Sequence, residues 1–235
     1  MAMSAREQVI VFDLDDTLYL ERDFVASGFS AVDCFLASHA GVEGFAVQCR
    51  AAAANGHSGH VFDQALAALG IEPDKALVAQ LVAVYRGHKP DIALAPDARR
   101  YLERTRTGRR AIITDGPAAT QQAKVKALGL EAFVDRVIFT DLWGRAFWKP
   151  HARAYETIED WTGLEPDNLV YVADNPVKDF VTPRSRGWRT VMVAREARVH
   201  KSAAPDQAHQ ADIRINDLDE LQDALRSFRP AETSP

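Results

Sequence analysis

The stretch Val9-Ile-Val-Phe-Asp-Leu-Asp-Asp-Thr-Leu18 joins an apolar run directly to a cluster of carboxylates. A short apolar run of this kind is typical of a buried β-strand. Carboxylates are rarely buried unless they are paired or bind a metal, so packing gives no reason for Asp13, Asp15 and Asp16 to follow such a strand. Open α/β sheets bind their ligands at the carboxyl ends of their strands. The stretch therefore predicts a functional site at the end of the first strand.

The composition is that of an ordinary globular protein, since the 235 residues are 47% hydrophobic and 26% charged. The net charge is −5 and no basic block is present, which favours a small-molecule partner over nucleic acid. Two cysteines, Cys34 and Cys49, are too few for a disulfide framework. The chain starts without the apolar segment of a secretory signal, and no apolar run approaches the roughly 20 residues of a membrane helix. We therefore expect a cytoplasmic monomer or homodimer that binds neither nucleic-acid polymers nor membranes.

Short apolar runs, each closed by a polar residue, recur along the rest of the chain. They predict further strands over 110–114, 136–140, 169–174 and 190–193, and a short edge strand over 213–215. The segments between them space their apolar residues as helices do, over 97–106, 117–128, 151–162 and 217–228. Asn175-Pro176 resembles a helix N-cap followed by proline at the first helical position. This alternation predicts an α/β fold with a parallel sheet covered on both faces.

The segment between the first and second predicted strands is too long for a simple crossover, for which about 30 residues suffice. It is rich in Ala, Leu, Val and Phe at helical spacing, as in 24–38 and 74–85. We interpret 20–91 as an inserted all-helical cap, and 1–19 together with 92–235 as the core that carries the site. The alternative is that these helices pack on the sheet itself.

Polar residues follow the predicted strands in a fixed order, which is Asp13 with Asp15, then Thr114, then Lys149, then Asp174 with Asp179. Phosphoryl transfer through an aspartyl-phosphate gives each of them a role. Asp13 would be the nucleophile, because a carboxylate can form a covalent phospho-intermediate. Asp15 would protonate the leaving oxygen and later deprotonate the attacking water.

The other strand ends supply groups that can hold a phosphate. The Thr114 hydroxyl and the backbone N–H groups of Asp115 and Gly116 would bind phosphate oxygens. Lys149 would stabilise both Asp13 and the phosphoryl group. Catalytic roles are therefore predicted for Asp13, Asp15, Thr114 and Lys149, and substrate binding for Thr114, Asp115, Gly116 and Lys149.

The clustered carboxylates require a cation. Two like charges about 4 Å apart repel by roughly 4 kcal/mol at an effective dielectric near 20. A dianionic substrate adds to this repulsion, and Mg²⁺ bound through carboxylates and phosphate oxygens is the natural counter-ion. We expect Asp13 and Asp174 as direct ligands with the Asp15 carbonyl, while Asn175 and Asp179 act through water or orient Lys149.

These groups together resemble the motifs of the haloacid dehalogenase (HAD) superfamily. The matching segments are Asp13-Leu-Asp-Asp-Thr-Leu18, Thr114-Asp-Gly116, Lys149-Pro150 and Asp174-Asn-Pro-Val-Lys-Asp179. The resemblance implies a Rossmann-like three-layer core, a Mg²⁺-dependent Asp nucleophile and a helical cap of the C1 type. Family dehalogenases lack the second aspartate, so the presence of Asp15 implies a phosphatase-type member. Ala173 departs from the family pattern, in which a glycine usually precedes the fourth-motif aspartate.

The sequence thus predicts Mg²⁺-dependent hydrolysis of a small-molecule phosphate monoester. Two alternatives stay open: a phosphomutase acting on a sugar phosphate, and a catalytically idle binding or regulatory protein on the same fold. A phospho-switch receiver domain is disfavoured, because there the phosphorylated Asp lies on a later strand than the acidic pair.

Two further features are given structural interpretations. Asp16 is predicted to cap or hydrogen-bond the turn after the first strand rather than to take part in the chemistry. His57 and His60 have no clustered third ligand and are interpreted as part of a loop rather than a metal site.

Overall fold

The computed structural model describes residues 7–54, 59–105 and 108–228. The chain divides into two compact units, one formed by Met1–Glu21 with Ala93–Pro235 and the other by Arg22–Ile92. The strands of the first unit are β1 (Val9–Phe12), β2 (Arg110–Thr114), β3 (Arg136–Phe139), β4 (Leu169–Ala173), β5 (Arg189–Val193) and β6 (Ile213–Ile215). The helices along the chain are α1 (Glu21–Ala40), α2 (Phe45–Ala54), α3 (Val61–Ala68), α4 (Lys75–Gly87), α5 (Pro96–Arg104), α6 (Ala118–Ala127), α7 (Arg153–Thr162), α8 (Val181–Ser185) and α9 (Leu221–Ser227).

The described strands form one parallel sheet in the order β3-β2-β1-β4-β5-β6. All six coincide with strands predicted from the sequence, to within one residue at either end, and β6 lies at an edge as predicted. The strand β1 lies between β2 and β4, where the order of the sheet reverses, and this is where open α/β sheets bind ligands.

Helices cover both faces of this sheet because the central strands are apolar on both sides. On one face, Tyr155 of α7 packs edge-on against Tyr171 of β4, with ring centroids 5.4 Å apart. On the other face, Phe12 of β1 packs against Tyr101 of α5, with centroids 6.1 Å apart. The predicted α/β, Rossmann-like three-layer fold with a parallel sheet is confirmed.

The segment after β4 differs from its prediction. Asn175 and Pro176 begin a turn and not a helix: the Asp179 N–H donates to the Asn175 carbonyl, and the next helix starts only at Val181. The Asp179 carboxylate accepts a hydrogen bond from the Asn175 N–H at 3.1 Å and closes this turn on itself. The last helix also starts later than predicted, at Leu221, because the preceding Leu218 N–H donates to the buried Asp97 carboxylate at 2.7 Å.

The Arg22–Ile92 unit has a hydrophobic core of its own. Helices α1 to α4 bury Phe29, Phe45, Phe62 and Leu81 together, and the Phe45 and Phe62 ring centroids lie 5.4 Å apart. His60 is exposed just before α3, and its predicted neighbour His57 lies outside the described residues. No helix in the described part of the chain is both long and apolar enough to cross a membrane.

A buried ion pair joins three parts of the first unit. Arg195, just after β5, donates to the Asp97 carboxylate of α5 at 2.5 Å and to the Thr17 carbonyl at 2.8 Å. Both side chains of the pair are only 8% exposed. The pair therefore connects the turn that follows β1 to α5 and to the loop after β5.

The Arg195→Met variant is expected to lose about 3–5 kcal/mol of unfolding free energy, because it leaves the buried Asp97 carboxylate without its charged partner. Urea unfolding followed by circular dichroism measures this loss. Arg214→Met on the exposed face of β6 is the control and should change stability little. A loss below about 1 kcal/mol for Arg195→Met would show that the pair is not important for stability.

Candidate active site

The first and fourth motifs meet because β1 and β4 are neighbours in the sheet. Phe12 is paired with Val172, and the Asp13 N–H donates to the Val172 carbonyl at 2.9 Å. Asp13 and Asp174 therefore leave adjacent strands at the same edge. Both are buried, at 3% and 2% exposure, although carboxylates are seldom buried without a partner.

Lys149 lies at the centre of this group. Its ammonium Nζ is 2.7 Å from Asp13 Oδ1 and 2.7 Å from Asp179 Oδ1, and it donates to the Tyr171 hydroxyl at 2.9 Å. Burial alone would lower the pKa of Lys149, but the carboxylates of Asp13 and Asp179 outweigh burial and hold the pKa well above its ordinary value. Lys149 is therefore a permanent cation between the first and fourth motifs.

The carboxylates of Asp13, Asp174 and Asp179 form a compact acidic cluster, with one oxygen of each lying within 4.8 Å of the others. Burial raises the pKa of Asp13 to about 6 against the lowering effect of Lys149. Burial, and then the charges of Asp13 and Asp179, raise the pKa of Asp174 to about 9. In the part of the chain that the structure describes, the buried Asp174 Oδ2 has no hydrogen-bond partner.

This cluster fits a hard cation. An oxygen ligand that is buried without a partner, next to a second carboxylate, is what a divalent ion such as Mg²⁺ requires. Asp13 and Asp174 are the residues with an oxygen to offer. Asp179 is already engaged, since its Oδ1 is paired with Lys149 and its Oδ2 accepts from the Asn175 N–H. The Asn175 side-chain oxygen accepts from the Val177 N–H at 3.0 Å, so it too serves the turn.

Asp15 is held apart from this cluster. Its Oδ1 accepts from Lys124 Nζ at 2.6 Å and from the Tyr19 hydroxyl, and its Oδ2 accepts from Gln121 Nε2 at 2.8 Å. Burial favours a raised pKa for Asp15, but the Lys124 charge and these hydrogen bonds outweigh it and lower the pKa. Asp15 is thus a carboxylate in this arrangement, the form that accepts a proton.

The second motif connects the loops around the site. Asp115 Oδ1 accepts from the Thr140 hydroxyl at 2.7 Å and from the Lys149 N–H at 3.1 Å, and its Oδ2 lies 3.3 Å from Lys178 Nζ. The Asp115 side chain therefore positions the loop that carries Lys149. Thr114 is fully buried, and its hydroxyl oxygen accepts from Gln121 Nε2 at 2.5 Å. The predicted contact of Thr114 with phosphate stays a prediction.

Asp16 has the structural role predicted for it. Its φ is +53°, in the left-handed region that Asp and Asn adopt more often than most residues other than glycine. Its Oδ1 accepts from the N–H of Glu21, the first residue of α1, and its Oδ2 accepts from the Val199 N–H at 2.6 Å. Asp16 thereby caps α1 and fixes the loop after β5.

A cavity of about 340 Å³ opens above the acidic cluster, at the small end of the range for small-molecule sites. It is lined by Asp13, Asp15, Asp16, Glu21, Asp115, Gly116, Trp148, Lys149, Asp174, Asn175, Lys178 and His200. Burial and the nearby Asp15 charge raise the pKa of Glu21 to about 7, and its carboxylate lies 3.8 Å from His200 Nε2. The lining combines carboxylates with lysines, which suits an anionic group accompanied by a cation.

The sequence reasoning missed several residues around the site. They include Glu21 and His200, which line the cavity, and Tyr19, Gln121, Lys124 and Tyr171, which bond to predicted site residues. The sequence does contain a signal for Gln121 and Lys124. Gln121 lies four positions before Val125 and seven before Leu128, and this helical spacing places it on the inward face of α6. Lys124 lies next to this face. For Tyr19 and Tyr171, ordinary core packing was the simpler interpretation.

Comparison with known proteins places the chain in a family. It is 31% identical to (S)-2-haloacid dehalogenase of Xanthobacter autotrophicus over 130 residues, which are 55% of this chain and 49% of that protein. It is 27% identical to glyceraldehyde 3-phosphate phosphatase of Methanocaldococcus jannaschii over 94% of this chain and 97% of that protein. Phosphoserine phosphatase of Thermus thermophilus is 28% identical over 91% of this chain and 97% of its own length.

Solved structures share the fold. The putative HAD-hydrolase YfnB of Bacillus subtilis, solved bound to magnesium, matches with a TM-score of 0.67 at 19% identity, over 94% of this chain and 99% of that one. L-2-haloacid dehalogenase of Xanthobacter autotrophicus matches with a TM-score of 0.61 at 22% identity, over 95% and 100% of the two chains. The family model of haloacid dehalogenase-like hydrolases matches residues 7–182, which include every motif described above. The chain therefore belongs to the haloacid dehalogenase-like hydrolases.

Proposed function

We propose that this hydrolase is a Mg²⁺-dependent phosphatase that acts on small-molecule phosphate monoesters through a phosphorylated Asp13. One observation supports this above the others. Asp13 and Asp15 line the same cavity, two residues apart, and each is paired with a lysine of its own, Lys149 and Lys124 respectively. Two carboxylates held in different surroundings can take two different chemical roles.

In the first step, an Asp13 carboxylate oxygen attacks phosphorus and the bond between phosphorus and the ester oxygen breaks. The products are an acyl phosphate on Asp13 and an alcohol, whose proton comes from Asp15. An arriving phosphate dianion raises the pKa of nearby carboxyl groups, which favours the protonated Asp15 that this step needs. Lys149, 2.7 Å from Asp13 Oδ1, orients the nucleophile and offsets the negative charge that accumulates there.

In the second step, Asp15 takes a proton from a water molecule whose oxygen attacks phosphorus. The bond between Asp13 and phosphorus breaks, inorganic phosphate is released, and Asp13 returns to its carboxylate form. Asp15 ends this step protonated and is ready to protonate the next leaving oxygen. The backbone N–H groups of Asp115 and Gly116, two residues that line the cavity, are assigned to the phosphate oxygens.

A bound Mg²⁺ would supply positive charge that the lysines alone do not provide. Asp13 and Asp174 would hold it, since Asp174 Oδ2 is buried without a described partner and lies beside Asp13. Asp179 and Asn175 are assigned to orienting Lys149 and the fourth-motif turn. The magnesium bound to YfnB supports the same cation here.

Dehalogenation is the competing activity, because a 2-haloacid dehalogenase of Xanthobacter autotrophicus is matched both in sequence and in structure. Asp15 argues against it for this chain. A halide leaves as a stable anion and needs no acid, whereas an alkoxide leaving group does. The long matches to two phosphatases point the same way.

The Arg22–Ile92 unit is proposed as the cap that selects the substrate. It has a core of its own and is inserted directly after the first motif. A phosphomutase would use the same Asp13 and Asp15 and return the phosphoryl group to a sugar. We favour hydrolysis because the matched relatives with phosphate substrates are named phosphatases.

The test is to screen the purified protein with phosphate esters in the presence of Mg²⁺. The panel contains p-nitrophenyl phosphate, glyceraldehyde 3-phosphate, O-phosphoserine and hexose phosphates, with 2-chloropropionate as the dehalogenase substrate. We expect inorganic phosphate from at least one ester and no chloride. Chloride release without phosphate release would overturn the proposal.

Removal of the metal is expected to abolish phosphate release, because the acidic cluster would then repel the substrate dianion. Activity should fall at least about 10²-fold after dialysis against EDTA and return on addition of Mg²⁺. Phosphate release is measured by a colorimetric assay, with the dialysed protein checked for folding by circular dichroism. Full activity in EDTA would contradict a role for a divalent cation.

A further inference from the structure

Helix α6 buries the amide of Gln121 and the ammonium group of Lys124 almost completely. Gln121 is 2% exposed and Lys124 is 5% exposed. Burial of an ammonium group is strongly unfavourable unless the charge is paired, and burial of an amide is unfavourable unless it is hydrogen-bonded. Residues of this kind in a helix that packs on a sheet need a specific partner.

That partner is Asp15 for both side chains. Lys124 Nζ lies 2.6 Å from Asp15 Oδ1, and Gln121 Nε2 donates to Asp15 Oδ2 at 2.8 Å. The Tyr19 hydroxyl also donates to Oδ1. Because both carboxylate oxygens are engaged from different directions, the plane of the carboxyl group is fixed and not only its position.

This arrangement gives the two catalytic aspartates different cationic partners. Lys149 pairs with Asp13 and Asp179, while Lys124 pairs with Asp15. An Asp15 side chain without such a partner would be attracted to Lys149 or to a cation at Asp13 and Asp174. Gln121 also donates to Thr114, the last residue of β2. Its amide group therefore fixes the position of Asp15 relative to the end of that strand.

We infer that Lys124 and Gln121 are positioning residues that hold the Asp15 carboxyl at the cavity wall, where it meets the oxygen of the leaving group. This inference rests on the proposed phosphatase activity. It also defines the substrate class, since a fixed proton donor is needed when the leaving group is an aliphatic alcohol and is dispensable when it is a stable anion. The chain is therefore assigned to phosphates of unactivated alcohols.

The experiment compares esters with different leaving groups. The probes are p-nitrophenyl phosphate, phenyl phosphate and the best alkyl phosphate from the substrate panel. The parameter kcat/KM reports the steps through release of the leaving group, whereas kcat includes hydrolysis of the phosphoenzyme, which is common to all esters. The variants are Lys124→Met, Lys124→Arg and Gln121→Leu, with Lys126→Met and Gln122→Leu as exposed controls on the same helix.

In Lys124→Met we expect kcat/KM to fall about 10²- to 10⁴-fold for the alkyl and phenyl esters, because a positioned acid typically contributes this much. For p-nitrophenyl phosphate, whose leaving group needs no acid, kcat/KM should fall by less than about tenfold. Lys124→Arg should restore most of the loss, because it returns a donor to Asp15. Gln121→Leu should show the same dependence on the leaving group with a smaller loss. Because it leaves no charge unpaired, it also provides the test if Lys124→Met fails to fold. Both controls should behave as wild type.

Equal losses for all esters in folded Lys124→Met or Gln121→Leu would overturn the inference, since a merely structural defect affects every substrate alike. A wild-type protein that hydrolyses p-nitrophenyl phosphate but none of the alkyl phosphates would overturn the assigned substrate class. A wild-type protein that releases phosphate from none of the esters would instead refute the proposed phosphatase function.

Discussion

The Asp13→Asn variant is expected to lose at least about 10⁴-fold of its phosphatase activity while keeping its fold. The amide cannot form the acyl phosphate, and loss of the covalent nucleophile in other hydrolases lowers kcat by on the order of 10⁶. The side chain keeps its shape, and Lys149 keeps its contacts with Asp179 and Tyr171. Inorganic phosphate release and thermal unfolding, measured on the same preparation, separate the two effects.

The matched control is Asp223→Asn, a change of the same kind at an exposed position on α9. It should leave activity unchanged. Acid quench of the wild-type enzyme during turnover should give a phosphorylated protein, and Asp13→Asn should give none. An Asp13→Asn variant with activity close to wild type would mean that the phosphoryl group is not transferred to Asp13.

The strands and the motifs at their ends could be predicted from the sequence because both depend on local patterns. Runs such as 111–113 and 169–173 are apolar throughout, and strands of a doubly covered parallel sheet require this. Once such strands lie in parallel, their polar ends meet at one edge. The proximity of Asp13 and Asp174 therefore follows from sheet topology without knowledge of any side-chain contact.

The partners of these residues could not be predicted in the same way. Lys124 is one of two lysines on α6, and nothing in its local sequence shows that it is buried against a residue 109 positions away. The turn at Asn175 was predicted as a helix N-cap because the Asn-Pro signal is local. In the structure, the Asp179 carboxylate closes that turn by accepting a hydrogen bond from the Asn175 N–H. Its other oxygen is paired with Lys149, which is distant in sequence.

The Asp174→Asn variant is expected to abolish activity and, in EDTA, to make the protein more stable. The folded-state pKa of Asp174, about 9, lies above its ordinary value of 3.8. Between these values the folded state binds more protons than the unfolded state, so this group makes the metal-free protein less stable as the pH rises. Replacement by a neutral amide removes that penalty, which builds up over the roughly four pH units between 3.8 and pH 8 and is therefore on the order of 5 kcal/mol, because each unit corresponds to about 1.4 kcal/mol.

The sign of this change distinguishes a cation site from ordinary packing. Urea unfolding in EDTA should show a larger gain for Asp174→Asn at pH 8 than at pH 4.5, where the wild-type carboxyl is closer to protonation in both states. Added Mg²⁺ should stabilise the wild-type protein and should not stabilise the variant, because a ligand stabilises only the state that binds it. Equal destabilisation of the variant at both pH values would show instead that Asp174 is needed for packing. A catalytic cation site is expected to reduce stability until its ion is bound, because its carboxylates are buried and repel one another in the absence of the ion.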